Sequence, residues 1–292
     1  MGGWNPGADL VSLVVKTPFR NGRVVTSFYL LVAKICHSVP ALRRPFWKYV
    51  YQRLASRYAV PEWVFMNYGY LPADHLKLEP GDESQRSLIS LYHHVAVPGE
   101  LEGKRVLEVG CGRGGGASYV ARYLKPSEMK AVDISENAIT FCRERHPFPQ
   151  LSFERGDAEH LPFQDGEFDA VLNVESSHCY GDVSRFFGEA YRVLNLGGSF
   201  LYADFKPTED VEGVVASVRK AGFQINENED ITQNVLSALA QDSERKEVWI
   251  SELAEASLQG TLNIFAATSG TKLFSEFQNG VLTYYRIHAR KA

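Results

Sequence analysis

Only four cysteines occur in the chain, Cys36, Cys111, Cys142 and Cys179, and no two of them form a CxxC pair. Four in 292 residues is too few for a disulfide framework, so a reducing, cytoplasmic setting is the expectation. An excess of one charge is also missing. Lys and Arg number 31 against 35 Asp and Glu, for a net charge of -4, which gives no electrostatic case for a nucleic acid partner. Long apolar runs are lacking as well. Near the start, Val24 to Ala33 is apolar apart from Thr26 and Ser27, but a bilayer span needs about 20 such residues. Lys34-Ile35-Cys36-His37 then follows without a small-residue cleavage site, which argues against a secretory signal. Gly2 does not serve as a myristoylation site, because Pro6 stands where Ser or Thr is required. There are no internal repeats or low-complexity tracts. A hydrophobic content of 45% is enough for a sizeable core.

The chain divides at about residue 62. Residues 17–58 interleave Phe19, Phe28, Tyr29, Phe46, Trp47, Tyr49, Tyr51 and Tyr58 with Lys and Arg, and Pro40 and Pro45 break what otherwise reads as helices. Two readings stand for this segment: helices packed on the main domain, or a surface that contacts a membrane peripherally. From 63 to 292 the pattern is that of one domain, with a leading part at 63–99, a core at 100–205 and a C-terminal part at 206–292. A helix is expected over Asp82 to Val97. Strands are expected at Arg105 to Val109, at Ala131-Val132 before Asp133, at Phe168 to Val174 and at Phe200 to Ala203, with helices near 115–125, 136–145 and 183–194. That alternation predicts an α/β fold, a doubly wound and mostly parallel sheet. Beyond Asp204 come a helix near 210–221, a segment Phe223 to Glu229, a long helix from Thr232 to about Gly260, and Leu282 to Ala289. The last is expected as an antiparallel edge strand.

The run Glu108-Val109-Gly110-Cys111-Gly112-Arg113-Gly114 sets a tight glycine turn between a strand and a helix, where the backbone can lie against a ligand. By itself such a turn suits a dinucleotide pyrophosphate equally well. Glu108 argues otherwise, because a carboxylate at the strand end repels a pyrophosphate and attracts the amino group of a methionine moiety. Asp133, 19 residues after Gly114, ends the second strand where a carboxylate can accept from both ribose hydroxyls. Asp157, in Gly156-Asp157-Ala158-Glu159-His160-Leu161-Pro162-Phe163, can accept an adenine amino proton between apolar neighbours. The three in this order are far more specific than the glycine turn alone.

These segments resemble the class I S-adenosylmethionine-dependent methyltransferases of the small-molecule group known as type 11. Phe65-Met66-Asn67-Tyr68-Gly69-Tyr70, Val106 to Ser118, Val171 to Tyr180 and Tyr202-Ala203-Asp204 further resemble the mycobacterial phthiotriol and phenolphthiotriol dimycocerosate methyltransferases. The resemblance implies a Rossmann-like sheet and S-adenosylmethionine as cofactor. It also implies cofactor roles for Glu108, Gly110, Gly112, Asp133, Asp157 and, mainly through its backbone, Asn173. Cys111, Gly114, Ile134 and Ala158 complete the expected contact set, and Tyr68 belongs to a segment implied to fold over the cofactor as a lid. The aromatic residues Phe65, Tyr68 and Tyr70 serve packing equally well.

Methyl transfer to a hydroxyl needs an aligned acceptor and a proton sink. His178, in Glu175-Ser176-Ser177-His178 after the fourth strand, stands at the crevice edge of a doubly wound sheet and is the best base. Asp204, after the next strand, can hold its tautomer. The pair resembles the dyad assigned in natural-product sugar O-methyltransferases, although pocket lining for His178 and helix capping for Asp204 also stand. His93, His94 and His160 are weaker candidates, and no metal is expected. Trp249, Phe265, Phe274 and Phe277 suit either an apolar pocket or the core. The expectation is therefore an O-methyltransferase acting on a hydrophobic small molecule such as a lipid, polyketide-like or sterol-like compound. Carbon or nitrogen transfer, a non-catalytic scaffold and an NAD oxidoreductase are the alternatives.

Overall fold

The computed structural model describes residues 63–73, 76–253, 259, 262–263 and 266–292. The segment 1–62 with its membrane-contact reading, Phe265, and most of the expected helix beyond Leu253 lie outside the described residues. Among those described, no helix is long and apolar enough to cross a membrane.

Seven strands form one sheet: β1 (Arg105–Val109), β2 (Glu128–Asp133), β3 (Leu151–Arg155), β4 (Phe168–Val174), β5 (Leu194–Pro207), β6 (Phe223–Asp230) and β7 (Leu282–Lys291). Their order is β3-β2-β1-β4-β5-β7-β6. The first five are parallel, and β7 runs antiparallel to both β5 and β6. β1 and β4 are almost wholly buried because both faces of a parallel sheet are covered.

Successive residues along these strands point to opposite faces. On one face Val106, Leu172 and Leu201 pack with Ile89, Leu91 and Val95 of α1 (Arg86–Ala96). On the other, Leu107, Val171 and Phe200 pack with Phe186, Phe187 and Ala190 of α4 (Val183–Val193). Phe186 and Phe187 are fully buried, each stabilising the fold by roughly 1.5–3 kcal/mol. Between these elements lie α2 (Gly115–Tyr119), continued by one wide turn over Val120–Leu124, and α3 (Glu136–Arg145). Side-chain caps start α3 and α4, where Ser135 Oγ accepts from Ala138 N at 3.3 Å and Asp182 Oδ1 from Arg185 N at 3.0 Å. Beyond β5 come α5 (Val211–Lys220), α6 (Thr232–Leu253) and α7 (Lys272–Gln278).

Two expectations need correction. β7 does not occupy the edge; it lies between β5 and β6, and β6 is the edge. Arg286, which suggests solvent, is buried in β7 and donates across the pair to Glu229 Oε2 at 3.0 Å and to Glu227. The short strand β3 is an additional element, its alternation broken by Glu154 and Arg155.

Candidate active site

Strand order reverses between β1 and β4, and a doubly wound sheet opens its crevice beyond the C-terminal ends of the strands at that point. A cavity sits there. It is floored by the glycine turn, walled by the ends of β2 and β4, and covered by residues 63–68. Tyr68, Gly110, Cys111, Gly112, Asp133, Ile134, Asp157, Ala158 and His178 line it. Glu108, Gly114, Asn173 and Asp204 stand behind its wall.

The turn works through close approach. Gly112 has φ +54, and a Cβ there would find only Met66 Sδ within 4 Å, at 3.6 Å, so a side chain would project into the cavity. At Gly115 a Cβ would lie 2.5 Å from Val64 O, so only glycine lets residues 63–68 settle on the turn; Gly115 N in fact donates to Val64 O at 3.0 Å. Gly114 packs beneath, toward His146 and Cys142. Asn173 Nδ2 reaches Val109 O, Ser176 Oγ and Tyr180 OH at 2.7–2.9 Å, bracing the turn against β4.

Glu108 is wholly buried. Its Oε1 accepts from Tyr92 OH at 2.8 Å, whereas Oε2 has no hydrogen-bond partner. Burial pushes this carboxyl up to about 7, against the pull of the Tyr92 hydroxyl. A buried carboxylate behind the glycine turn disfavours a pyrophosphate and favours a cation there. Asp133 accepts from Gly112 N at 3.0 Å through Oδ2 and from Ser135 N at 2.9 Å through Oδ1, which fixes its carboxylate at the cavity edge. Burial raises its pKa, and these backbone donors oppose the rise. Asp157 Oδ1 accepts from Glu159 N at 3.1 Å, which shapes the loop on the far side of the cavity.

At the other end, His178 Nδ1 meets Asp204 Oδ1 at 2.8 Å. Asp204 is fully buried and held on every side: Ser177 Oγ donates to Oδ2 at 2.6 Å, His178 N to Oδ2 at 3.0 Å, and Phe205 N to Oδ1 at 2.8 Å. Ser177 Oγ in turn lies 2.7 Å from Tyr202 OH, which lies 3.1 Å from Tyr285 OH. Burial opposes a charged imidazole, but Cys179 and Asp204 beside His178 outweigh it and raise the pKa well above 6.5. Asp204 moves down, because His178 outweighs the burial of the carboxylate. Among the described residues no group of three His, Cys, Asp or Glu side chains is placed to hold a metal ion.

Sequence reasoning passed over Tyr92, which comes from α1 with no local pattern to link it to the cavity, and Gly115 was visible only as one residue of the glycine run. Glu175 carried a signal only as the first residue of the Glu-Ser-Ser-His segment.

Comparison with known proteins agrees with this geometry. A methyltransferase domain model matches residues 107–202. Over 240 residues the chain is 39% identical to the phthiotriol/phenolphthiotriol dimycocerosates methyltransferase of Mycobacterium tuberculosis, spanning 82% of this chain and 89% of that one. Over 214 residues it is 42% identical to the fatty-acid O-methyltransferase of Mycolicibacterium smegmatis, spanning 73% and 78%. The fold is shared with the geranyl diphosphate C-methyltransferase of Streptomyces coelicolor, solved with S-adenosyl-L-homocysteine, at a TM-score of 0.59 and 18% identity over 83% of this chain and 98% of that one. A glycine turn that alone fits NAD is here backed by a buried carboxylate, and the relatives are methyltransferases along most of their length. This chain belongs to the class I S-adenosylmethionine-dependent methyltransferases, in the family of the phthiotriol and phenolphthiotriol dimycocerosate methyltransferases.

Proposed function

We propose that the enzyme methylates a hydroxyl oxygen of a hydrophobic, lipid-like acceptor, with His178 as general base and Asp204 as its orienting partner. The observation that carries the reading is the 2.8 Å contact between His178 Nδ1 and a fully buried Asp204, with His178 at the cavity wall. The names of the relatives support a lipid-like acceptor, since one acts on phthiotriol compounds and another on fatty acids.

S-adenosylmethionine supplies a sulfonium-bound methyl group for in-line displacement. In this reading Glu108 receives its amino group, Asp133 its ribose hydroxyls and Asp157 its adenine amino group, with Gly110 and Gly112 giving the backbone room. Residues 63–68 exclude water from the cavity. His178 presents Nε2 on the side of the ring away from Asp204 and takes the acceptor's hydroxyl proton, while Asp204 stabilises the resulting imidazolium.

A carboxylate acceptor would have no proton to give up, and this separates the two kinds of oxygen transfer. Purified enzyme should be assayed with a long-chain alcohol or diol and with a fatty acid, and the products followed by mass spectrometry. For the hydroxyl acceptor, His178→Gln should lower kcat by about 10²–10⁴ and leave S-adenosylhomocysteine affinity within about twofold, as expected for a group acting on the acceptor alone. A variant that keeps its wild-type kcat on the hydroxyl acceptor sinks the base assignment. Turnover of the fatty acid alone sinks the acceptor class.

A further inference from the structure

We propose that Glu175 is a positioning residue that latches the segment covering the cofactor cavity. Residues 63–71 are held at their ends by backbone bonds: Gly115 N to Val64 O at 3.0 Å, Tyr70 N to Ser87 O at 2.9 Å, and Leu71 N to Asn234 O at 3.2 Å. Between these anchors the Tyr68 N–H donates to Glu175 Oε1 at 2.8 Å. Tyr68 is buried, so without that oxygen its N–H would be an orphaned donor.

The carboxylate is set up for this contact from the sheet side. Glu175 directly follows β4, and its φ of +47 lies in the left-handed region, which a residue with a Cβ adopts only where its surroundings hold it there. Its own N–H is tied to Ala203 O at 2.9 Å, and Tyr284 OH donates to the same Oε1 at 2.8 Å. One oxygen therefore joins the covering segment, the end of β4 and β7. The connection continues toward the base. The Tyr68 ring stacks on Phe205, with centroids 5.5 Å apart, and Phe205 packs on the His178 imidazole at 4.7 Å. Burial pushes the Glu175 carboxyl up to about 7, but either protonation state keeps an acceptor lone pair for Tyr68, so hydrogen-bond acceptance and not charge is the working property.

The inference rests on the cofactor occupying the cavity under residues 63–68, and binding of S-adenosylhomocysteine to the wild-type full chain checks that separately. The test is the release rate of S-adenosylhomocysteine, measured by stopped flow, together with thermal melting. Glu175→Ala should release it about tenfold faster while still melting cooperatively, the effect of leaving one buried donor without its hydrogen bond. Glu175→Gln, whose amide oxygen accepts the same two bonds, should stay within about twofold of wild type. A cooperatively melting Glu175→Ala that releases the ligand at the wild-type rate overturns the proposal, as does Glu175→Gln behaving like Glu175→Ala. If Glu175→Ala does not fold, Tyr284→Phe removes the second bond that orients the carboxylate. It should then speed release about threefold, and an unchanged rate has the same overturning force.

Discussion

Glu108→Gln should make the ligand-free protein more stable and its cofactor binding weaker, and both effects should depend on pH. The folded protein holds the Glu108 proton up to about 7, against 4.5 for the exposed side chain, because burial disfavours the charge. A raised acid pKa means that the folded state binds the proton more tightly than the unfolded chain. This contribution to stability is therefore whole below about 4.5, falls as pH rises, and is gone above about 7. The interval corresponds to roughly 3 kcal/mol. Glutamine has no proton to lose and can still accept from Tyr92 OH. Its advantage over wild type should be small at pH 5 and approach about 3 kcal/mol at pH 8, a rise of several degrees in Tm. Other groups that titrate in this range, Glu175 among them, cancel in the difference between the two proteins. Binding should move the other way. An ammonium ligand pairs with the ionised carboxylate, and with a pKa of about 7 the ionised fraction grows about tenfold from pH 6 to pH 8. Wild-type affinity for S-adenosylhomocysteine should grow in proportion. Glu108→Gln should show a flat profile and bind about 10–100-fold more weakly at pH 8. Differential scanning calorimetry and titration calorimetry from pH 5 to 8.5 measure both effects. A variant that melts no higher than wild type at pH 8, or binds as tightly there, would refute the reasoning.

Asp204→Asn should lower kcat on a hydroxyl acceptor by about 10²–10⁴ and keep S-adenosylhomocysteine affinity near wild type, as steady-state assays and calorimetry will show. Wild-type methylation of a hydroxyl acceptor should climb with pH to a midpoint above 6.5, because an imidazolium cannot take a proton and Cys179 and Asp204 favour that form. In Asp204→Asn the midpoint should fall, since burial would then act with less opposition, and a midpoint unchanged or raised in the pH–rate profile would contradict this. Gly115→Ala places a Cβ against Val64 O and should lift residues 63–68 from the turn, at a cost of about 1–3 kcal/mol in stability and with S-adenosylhomocysteine binding weakened; unaltered melting and affinity would contradict it.

How far the sequence could be read followed from how much of each signal is local. β1 and β4 carry apolar residues toward both faces and are flanked by turn residues, so they stand out in one dimension. β3 ends in Glu154 and Arg155, and β6 carries Glu227, Asn228, Glu229 and Asp230. Their strand character comes from pairing with partners that no short window contains. The position of β7 was misjudged for a related reason, since Arg286 reads as solvent-facing until Glu227 and Glu229 are brought opposite it. At the site, His178 and Asp204 could be brought together from the sequence because His178 closely follows β4 and Asp204 lies near the C-terminal end of the adjacent β5. Tyr92 and the latch at Glu175 could not, because their partners lie 16 and 107 residues away.

The placement of β7 bears on how the molecule comes together. Asp204 lies in register with Tyr285, and the hydroxyl chain behind Asp204 ends on that same tyrosine. The strand that backs the Asp204 carboxylate is thus separated from it by the whole of α5, β6, α6 and α7. During folding the parallel strands β1 to β5 can assemble first, with a ragged edge and an unpaired β5. The His178–Asp204 pair gains its buried environment only when this distant strand inserts between β5 and β6. Closing so long a loop before any pairing offsets it is slow. Competence for chemistry should therefore appear as a late kinetic phase in refolding, after most of the helical signal has returned.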